Sequence, residues 1–191
     1  SRRYLVDWRR WPEIQALNRI ADPRRIPPGT ILRFPTAWLR TAHARARTVA
    51  VEPPAEFRPT GQTLWQPLRT DQSLGDGDAI ATGAGGSATI ELADRSRVLL
   101  PARTRVVLER LRRFDRTPLA DSRLRLEEGR LVPSEVAPGS SLGVATPPGI
   151  TSVRGTTFRV ALGDGAERLS SETLEGNVAV TARGREVRVP A

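Results

Sequence analysis

Side chains that could act in catalysis are few in this chain of 191 residues. His43 is the single histidine, and cysteine is absent. A Ser/His/Asp arrangement would therefore depend on His43 alone. A lone histidine among polar residues is more often a solvated side chain than a catalyst or a metal ligand. The sequence predicts a protein that is not an enzyme.

Acidic and glycine-rich segments offer little more chemistry. Asp76 and Asp78 could begin a Ca²⁺ loop, but the later acidic ligands of such a loop do not follow. Glu127 and Glu128 are adjacent, so on a continuing strand they would face opposite sides and would not form a carboxylate pair. No Lys-Ser/Thr follows residues 83–86, which favours a tight turn over a phosphate-binding loop. We expect no metal ion and no cofactor.

Arginine supplies all 30 basic residues, and the formal net charge is +9. Complete exclusion of lysine is typical of genomic base-composition bias, so the count itself says little about function. A local stripe is more specific, because among its arginines only Glu109 and Asp115 are acidic. It forms a candidate polyanion patch: Arg103, Arg105, Arg110, Arg112 and Arg113, with Arg97 and Arg116 at its ends. Phe114 is the one aromatic residue nearby, so we expect a solvated strand face and no nucleic-acid partner.

The elements that would carry these residues are predicted to be strands. Aromatic residues make up 5% of the chain, Met and Cys are absent, and Gly and Pro number 16 each, which favours short strands of Val, Leu, Ile and Ala between turns. The predicted fold is mainly β, a twisted sheet or solenoid-like stack after a short helix. Alternation places these residues in its core: Ile90, Leu92, Val98, Leu100, Val106, Leu108, Leu124, Leu126, Phe158, Val160, Val178 and Val180.

Several ordered motifs over roughly residues 45–191 resemble those of a FecR-like domain. They read L-G-D-G-D-A-I-A-T-G, G-S-A-T-I-E-L-A-D-R-S, V-A-T-P-P-G-I-T-S-V-R-G-T-T-F-R-V-A-L and L-E-G-N-V-A-V. The resemblance implies a β-rich extracytoplasmic module of iron-signalling regulators and wall-associated proteins, with structural positions at Gly77, Asp78, Thr82, Gly83, Asp94, Ser96, Thr146, Pro147, Arg154, Gly155, Thr156, Phe158, Glu175 and Gly176. Arg95 stands where the family has glycine, so a different turn type is expected there.

The first forty residues predict a separate small module. A helix begins at the Asp7 cap or at Pro12 and stops near Asn18, and a brief strand follows at residues 31–35. The run W-P-E-I-Q-A-L-N-R-I-A-D-P-R-R-I-P-P-G-T-I-L-R-F-P resembles the second helix and last strand of a LysM module, a family that binds peptidoglycan. The resemblance implies one wall of a glycan groove at Asn18, Arg19, Ile20, Ala21, Asp22 and Pro23; a packed remnant that binds nothing is the alternative.

Together these features predict three segments: a partial LysM-like module at 1–40, a connector at 41–47 and a FecR-like β domain at 48–191. The module lacks its opening strand, so we expect it to dock on the β domain or to continue upstream. No apolar run approaches the roughly 20 residues that span a bilayer, and we expect no membrane insertion.

Two functional hypotheses follow from the resemblances. The preferred one is a non-enzymatic adaptor in the periplasm or at the cell surface of a Gram-negative bacterium. Its LysM-like part would associate with peptidoglycan, and its β domain would bind another envelope protein or assemble with itself. The alternative is the extracytoplasmic part of a FecR-type anti-sigma signal transducer that responds to a TonB-dependent transporter.

Overall fold

A computed structural model describes the backbone of residues 4–137, 139–147, 149–153, 158–162, 169–173, 177–182 and 185–190, and the side chains of residues 4–133, 136–137 and 139–147. The prediction of a mainly β fold after a short helix is confirmed. The chain divides into two compact units. The first comprises Ser1–Ala42 and Phe114–Thr117, and the second comprises His43–Arg113 and Pro118–Ala191.

The first unit contains the predicted helix. Asp7 caps a 3-10 turn at Trp8–Arg10 by accepting the Arg9 N–H at 2.9 Å, and helix α1 follows at Trp11–Leu17. Pro12 lies in the first turn of α1, where its missing N–H leaves no helical hydrogen bond unmade. Ile14 is fully buried and anchors the helix within the unit. A second 3-10 turn spans Thr36–Trp38.

The strand predicted at residues 31–35 is wrong, because this segment has no strand pairing. Its backbone is held instead by the side-chain amide of Asn18, which accepts the Arg33 N–H at 2.6 Å and donates to the Arg33 carbonyl at 2.8 Å. An isolated antiparallel bridge joins Leu5 and Leu39 in this unit. A short strand forms only where a partner supplies its hydrogen bonds, and here the amide replaces that partner.

Strands dominate the rest of the described chain. They are β1 Thr41–His43, β2 Ala46–Glu52, β3 Ala55–Arg58, β4 Gln66–Pro67, β5 Ser73–Leu74, β6 Ala79–Thr82, β7 Ser87–Glu91, β8 Arg97–Leu100, β9 Thr104–Phe114, β10 Ala120–Glu128, β11 Arg130–Glu135, β12 Ser141–Thr146, β13 Gly149–Val153, β14 Phe158–Leu162, β15 Leu169–Thr173, β16 Asn177–Ala182 and β17 Arg185–Pro190. One sheet has the order β17-β16-β13-β12-β10-β9-β6-β3-β4, and the other has the order β15-β14-β11-β8-β7-β2-β5.

Buried residues of both sheets form one hydrophobic cluster in the second unit. The predicted core positions with described side chains are confirmed: Ile90, Leu92, Val98, Leu100, Val106, Leu108, Leu124 and Leu126 are all buried. The predicted core residues Phe158, Val160, Val178 and Val180 lie on described strands, but outside the described side chains. Within the described chain, no helix has the length and apolar character needed to cross a membrane.

A bulge interrupts the antiparallel pairing of β9 with β10. Arg110 pairs with Arg123 and Leu108 with Leu124, which leaves Glu109 as an extra residue on β9. The bulge changes which side chains face inward, so Leu108 and Leu111 are both buried although they are three positions apart. Arg110 and Arg112 alternate with Leu111 and are only partly buried. The bulge therefore keeps these two arginines out of the core.

Candidate functional site

The turn between β5 and β6 is a packed structural element. Asp78, which is 8% exposed, accepts the Thr60 N–H and the Gly75 N–H, each at 2.8 Å, with its two carboxylate oxygens. Its main chain also binds β9, because the Leu108 N–H donates to the Asp78 carbonyl at 2.9 Å. The carboxylate therefore joins Thr60 to the turn through charge-assisted hydrogen bonds, and the main chain of Asp78 joins the turn to β9.

Gly77 allows this turn to lie against β9. Its φ is +83°, and a Cβ on it would lie 2.4 Å from Thr60 Oγ1, closer than side chains tolerate. The Gly77 N–H donates to the Leu108 carbonyl at 2.7 Å, at the start of the bulge. Glycine at this position is therefore required by both the backbone angle and the space.

Asp76 completes the contact between the turn and the bulge. Its Oδ1 accepts the Leu111 N–H at 2.7 Å, and its Oδ2 accepts from the Arg112 guanidinium and lies 3.2 Å from His43 Nδ1. Partial burial acts to raise the pKa of Asp76, but the Arg112 guanidinium, the Leu111 N–H and His43 together hold this pKa below its ordinary value. The His43 side chain is 80% exposed. Sequence spacing did not reveal this cluster, since its members come from three distant segments.

These contacts give Asp76 and Asp78 a structural role in place of the Ca²⁺ loop that the sequence allowed. Both carboxylates bind N–H donors of their own fold, and they serve different segments. Among the residues with described side chains, no group of three or more His, Asp or Glu side chains is placed to hold a metal ion. The arrangement stabilises the β9 bulge.

A second motif position, Thr82, lies at the end of β6. Its Oγ1 donates to the Pro101 carbonyl at 2.5 Å and accepts the Thr104 N–H at 3.0 Å. The neighbouring Gly83 donates its N–H to the Pro54 carbonyl at 2.8 Å, and a Cβ on it would lie 2.7 Å from Pro54 Cγ. Thr82 therefore links the end of β6 to the β8–β9 connection, and Gly83 links it to the turn between β2 and β3.

The turn between β7 and β8 keeps the conformation that glycine would adopt. Arg95 itself has φ of 67°, so the expectation of a different turn type is not confirmed. Asp94 Oδ1 accepts the Ser96 N–H at 3.0 Å, and the Leu92 N–H donates to the Ser96 carbonyl at 2.8 Å. Ser96 is buried, and its Oγ accepts the Ala137 N–H at 3.0 Å. These local hydrogen bonds offset the cost of the left-handed arginine.

The remaining motif positions fall near or beyond the limits of the described residues. Thr146 is buried at the end of β12, and Pro147 follows it on the surface. The positions outside the described residues are Arg154, Gly155, Thr156, Glu175 and Gly176, and Phe158 lies on β14 outside the described side chains. The motif residues with described side chains mainly stabilise turns and strand ends of the domain.

The candidate polyanion patch is interleaved with acidic groups from other strands. Arg110 pairs with Asp121 at 2.7 Å, and Arg112 pairs with Asp76. The chain order hides these pairs, because the acids come from the facing β10 and from the turn before β6. Arg113 is exposed on β9. The patch is therefore a mixed-charge face and not a continuous positive stripe.

The other two patch residues, Arg103 and Arg105, lie apart from that face. Both line an open polar pocket of about 180 Å³, together with Ala81, Thr82, Thr104 and Glu128. Arg105 and Glu128 form a loose ion pair with 3.9 Å between Nη2 and the carboxylate oxygen. This pocket is a place in the second unit where described cations line open space.

In the first unit, side chains in and beside the predicted glycan-binding wall at residues 18–23 make hydrogen bonds to nearby backbone groups. Asn18 holds Arg33, Gln15 Nε2 donates to the Ile20 carbonyl at 3.1 Å, and Asp22 accepts the Arg24 N–H at 2.9 Å. Arg19 has φ of 53°, and Ala21 and Pro23 are exposed. A separate open pocket of about 280 Å³ is lined by Val6, Asp7, Arg10, Ala37 and Trp38, none of which belongs to that wall. Glycan binding stays a prediction.

Comparisons with known proteins place the second unit in a family. No curated protein matches the chain. Two crystal structures of a candidate anti-sigma factor from Parabacteroides distasonis ATCC 8503, at 2.50 and 1.65 Å resolution, are 20% identical, with TM-scores of 0.46 and 0.47. Each alignment covers 59% of this chain and 50% of the other, so this chain spans half of their length. The FecR protein family matches residues 78–179, more than half of the sequence. The chain belongs to the FecR protein family.

Proposed function

We propose that this chain is the non-catalytic, extracytoplasmic part of a FecR-type signal transducer, which relays a signal by binding another envelope protein. The observation that carries the proposal is the family match over residues 78–179. It supports this hypothesis better than the wall-bound adaptor that the sequence favoured, because the adaptor depends on the LysM-like leader. The LysM resemblance and peptidoglycan binding have no comparable support.

The role of the motif side chains supports a binding function. Asp78, Thr82 and Ser96 are buried and hydrogen-bonded to backbone groups, so they are committed to the fold. These three side chains therefore stabilise the domain, which leaves recognition of a partner to groups on its surface. Protein binding is the activity that we propose for it.

The proposed setting is the periplasm or the cell surface, with a TonB-dependent transporter as the source of the signal. This setting follows from the FecR-type hypothesis and requires a protein partner on the extracytoplasmic side. Self-assembly is the alternative form of protein contact that the sequence suggested.

Transcript profiling in the native host tests the proposal. Cells that carry the intact gene, cells that lack it and complemented cells would be compared with and without an iron-limiting stimulus. A signal transducer predicts that a defined set of transcripts sharing one promoter class changes on deletion and returns on complementation. An unchanged transcript profile would contradict the proposal.

A parallel sedimentation assay separates the two hypotheses. Purified peptidoglycan would be pelleted with the intact protein at low and high salt. Salt-resistant pelleting together with an unchanged transcript profile would favour the wall-bound adaptor, and pelleting abolished by salt indicates nonspecific arginine attraction. Altered transcripts without pelleting are the expected result.

A further inference from the structure

The pocket beside Arg103 and Arg105 has the size of a site for one small group. Its volume is about 180 Å³, and it lies where β6 ends, β9 begins and β10 ends. Sites for drug-sized molecules usually measure about 300–1,000 Å³. A nucleotide is therefore too large for this pocket, whereas a carboxylate-sized anion or one acidic side chain fits.

The threonine hydroxyls in the pocket have partners within the fold. Thr82 Oγ1 donates to the Pro101 carbonyl, and Thr104 Oγ1 donates to the Arg130 carbonyl at 3.2 Å. Both threonines are buried. Recognition of a ligand is thus left to the charged groups that line the pocket.

Arg103 provides a cation without a described carboxylate partner, on a backbone that the fold holds in place. Among the residues with described side chains, no acidic oxygen lies within ion-pair distance of its guanidinium. Its backbone has φ of 57°, and its N–H donates to the Gly83 carbonyl at 3.2 Å. A Cβ at Gly129 would lie 2.3 Å from the Arg103 carbonyl oxygen, so the glycine permits this close approach. Non-glycine residues held in this region concentrate at functional sites.

Arg105 has a weak internal partner that indicates what the pocket accepts. Arg105 on β9 and Glu128 on β10 face each other, and their side chains are 48% and 62% exposed. An exposed ion pair at 3.9 Å contributes little stability. Glu128 therefore presents a carboxylate to Arg105 without holding it tightly.

We propose that this pocket binds a carboxylate between the guanidinium groups of Arg103 and Arg105, in competition with Glu128. A guanidinium group presents its donors in a planar fork that matches a carboxylate, and two such groups exceed what Glu128 alone supplies. Under the proposed function, which this source of ligand presupposes, the carboxylate is an acidic side chain of the protein partner. A small soluble carboxylate is the other source of the same chemistry.

Titration of the ¹⁵N-labelled chain at low salt tests the site through the Arg Nε–Hε resonances. The probes are malonate and a ten-residue peptide with alternating Glu and Thr, and a peptide with Gln in place of Glu serves as the control. Arg103→Gln and Arg105→Gln are each expected to weaken binding about fivefold or more, because each removes one charged fork. Glu128→Gln is expected to tighten it about two- to fivefold by removing the competitor.

Arg113→Gln is the matched control, since it removes the same charge from the same strand at an exposed position outside the pocket. It is expected to change the affinity by less than about twofold. Equal weakening by Arg113→Gln, or loss of affinity in Glu128→Gln, would overturn the proposal. Binding of the Glu peptide supports the partner side chain, and binding of malonate alone supports the small carboxylate. Failure of both probes removes the pocket but not the proposed function, which transcript profiling tests separately.

Discussion

Individual motif residues of this FecR-family domain stabilise its turns through hydrogen bonds to backbone and side-chain groups. Asp76 binds the Leu111 N–H and the Arg112 guanidinium on β9, Asp78 binds the N–H groups of Thr60 and Gly75, and Ser96 links the β7–β8 turn to Ala137. The resemblance to FecR-like domains implied structural roles for Asp78 and Ser96, whereas Asp76 was considered only as the start of a Ca²⁺ loop. Most of their partners could not be predicted, because Thr60, Leu111 and Ala137 are 18 or more residues away along the chain and are brought close only by the sheets.

Arg95 tests the turn between β7 and β8. Replacing it by glycine removes the strain of a left-handed backbone at a non-glycine residue, about 1–2 kcal/mol. Glycine also makes the unfolded chain more flexible, which lowers the free energy of unfolding by about 0.4–1 kcal/mol. We expect Arg95→Gly to raise the free energy of unfolding by up to about 1.5 kcal/mol, whereas Arg95→Ala keeps the strain. Urea unfolding of the three proteins measures this order, and a glycine variant less stable than the alanine variant would refute it.

Asp76 predicts an acid-sensitive contribution to stability. Its folded pKa lies below the ordinary value, so its stabilisation is present above the unfolded pKa of about 4 and is lost as the pH falls through the folded pKa. Asp76→Asn should cost about 1–3 kcal/mol at neutral pH, because charged hydrogen bonds are lost. It should also flatten the fall in stability below about pH 4. Unfolding curves from pH 7 to pH 2 measure both effects, and an unchanged acid slope would contradict the assignment.

Strands whose burial pattern shows in the local sequence could be predicted, whereas features that depend on pairing between distant segments could not. The alternation of Val106 with Leu108 and of Leu124 with Leu126 predicted buried strand faces, and all four residues are buried. The bulge at Glu109 was not predictable, because it depends on how β10 and the β5–β6 turn meet β9. The strand predicted at residues 31–35 failed for the same reason: its partner is a side-chain amide.

Gly77 tests the contact of the β5–β6 turn with the bulge. Gly77→Ala combines a left-handed backbone with a clash against Thr60, so we expect a loss of about 2–4 kcal/mol. Gly75→Ala is the matched control in the same turn, since its Cβ would meet atoms only at 3.7 Å and beyond. Thermal and urea unfolding compare the two variants. Equal stabilities would show that the turn does not need its glycine conformation.

For the whole molecule, family and fold could be predicted from the sequence, and the function less completely. The ordered motifs indicated a FecR-like domain, and the family match covers residues 78–179. The candidate polyanion patch was predicted from arginine positions along the chain, but folding divides it into the mixed-charge face at Arg110 and Arg112 and the pocket at Arg103 and Arg105. This division depends on pairing between distant strands, which composition does not reveal.

The central claim is that the folded β domain relays a signal. Transcript levels in native-host strains carrying the intact gene, Gly77→Ala or Gly75→Ala test it most directly, at matched protein abundance. We predict that the deletion-sensitive transcripts follow the stability of the domain, so that Gly77→Ala resembles the deletion and Gly75→Ala resembles the intact gene. Transcripts that are the same in all three strains, although Gly77→Ala destabilises the purified chain, would contradict the account.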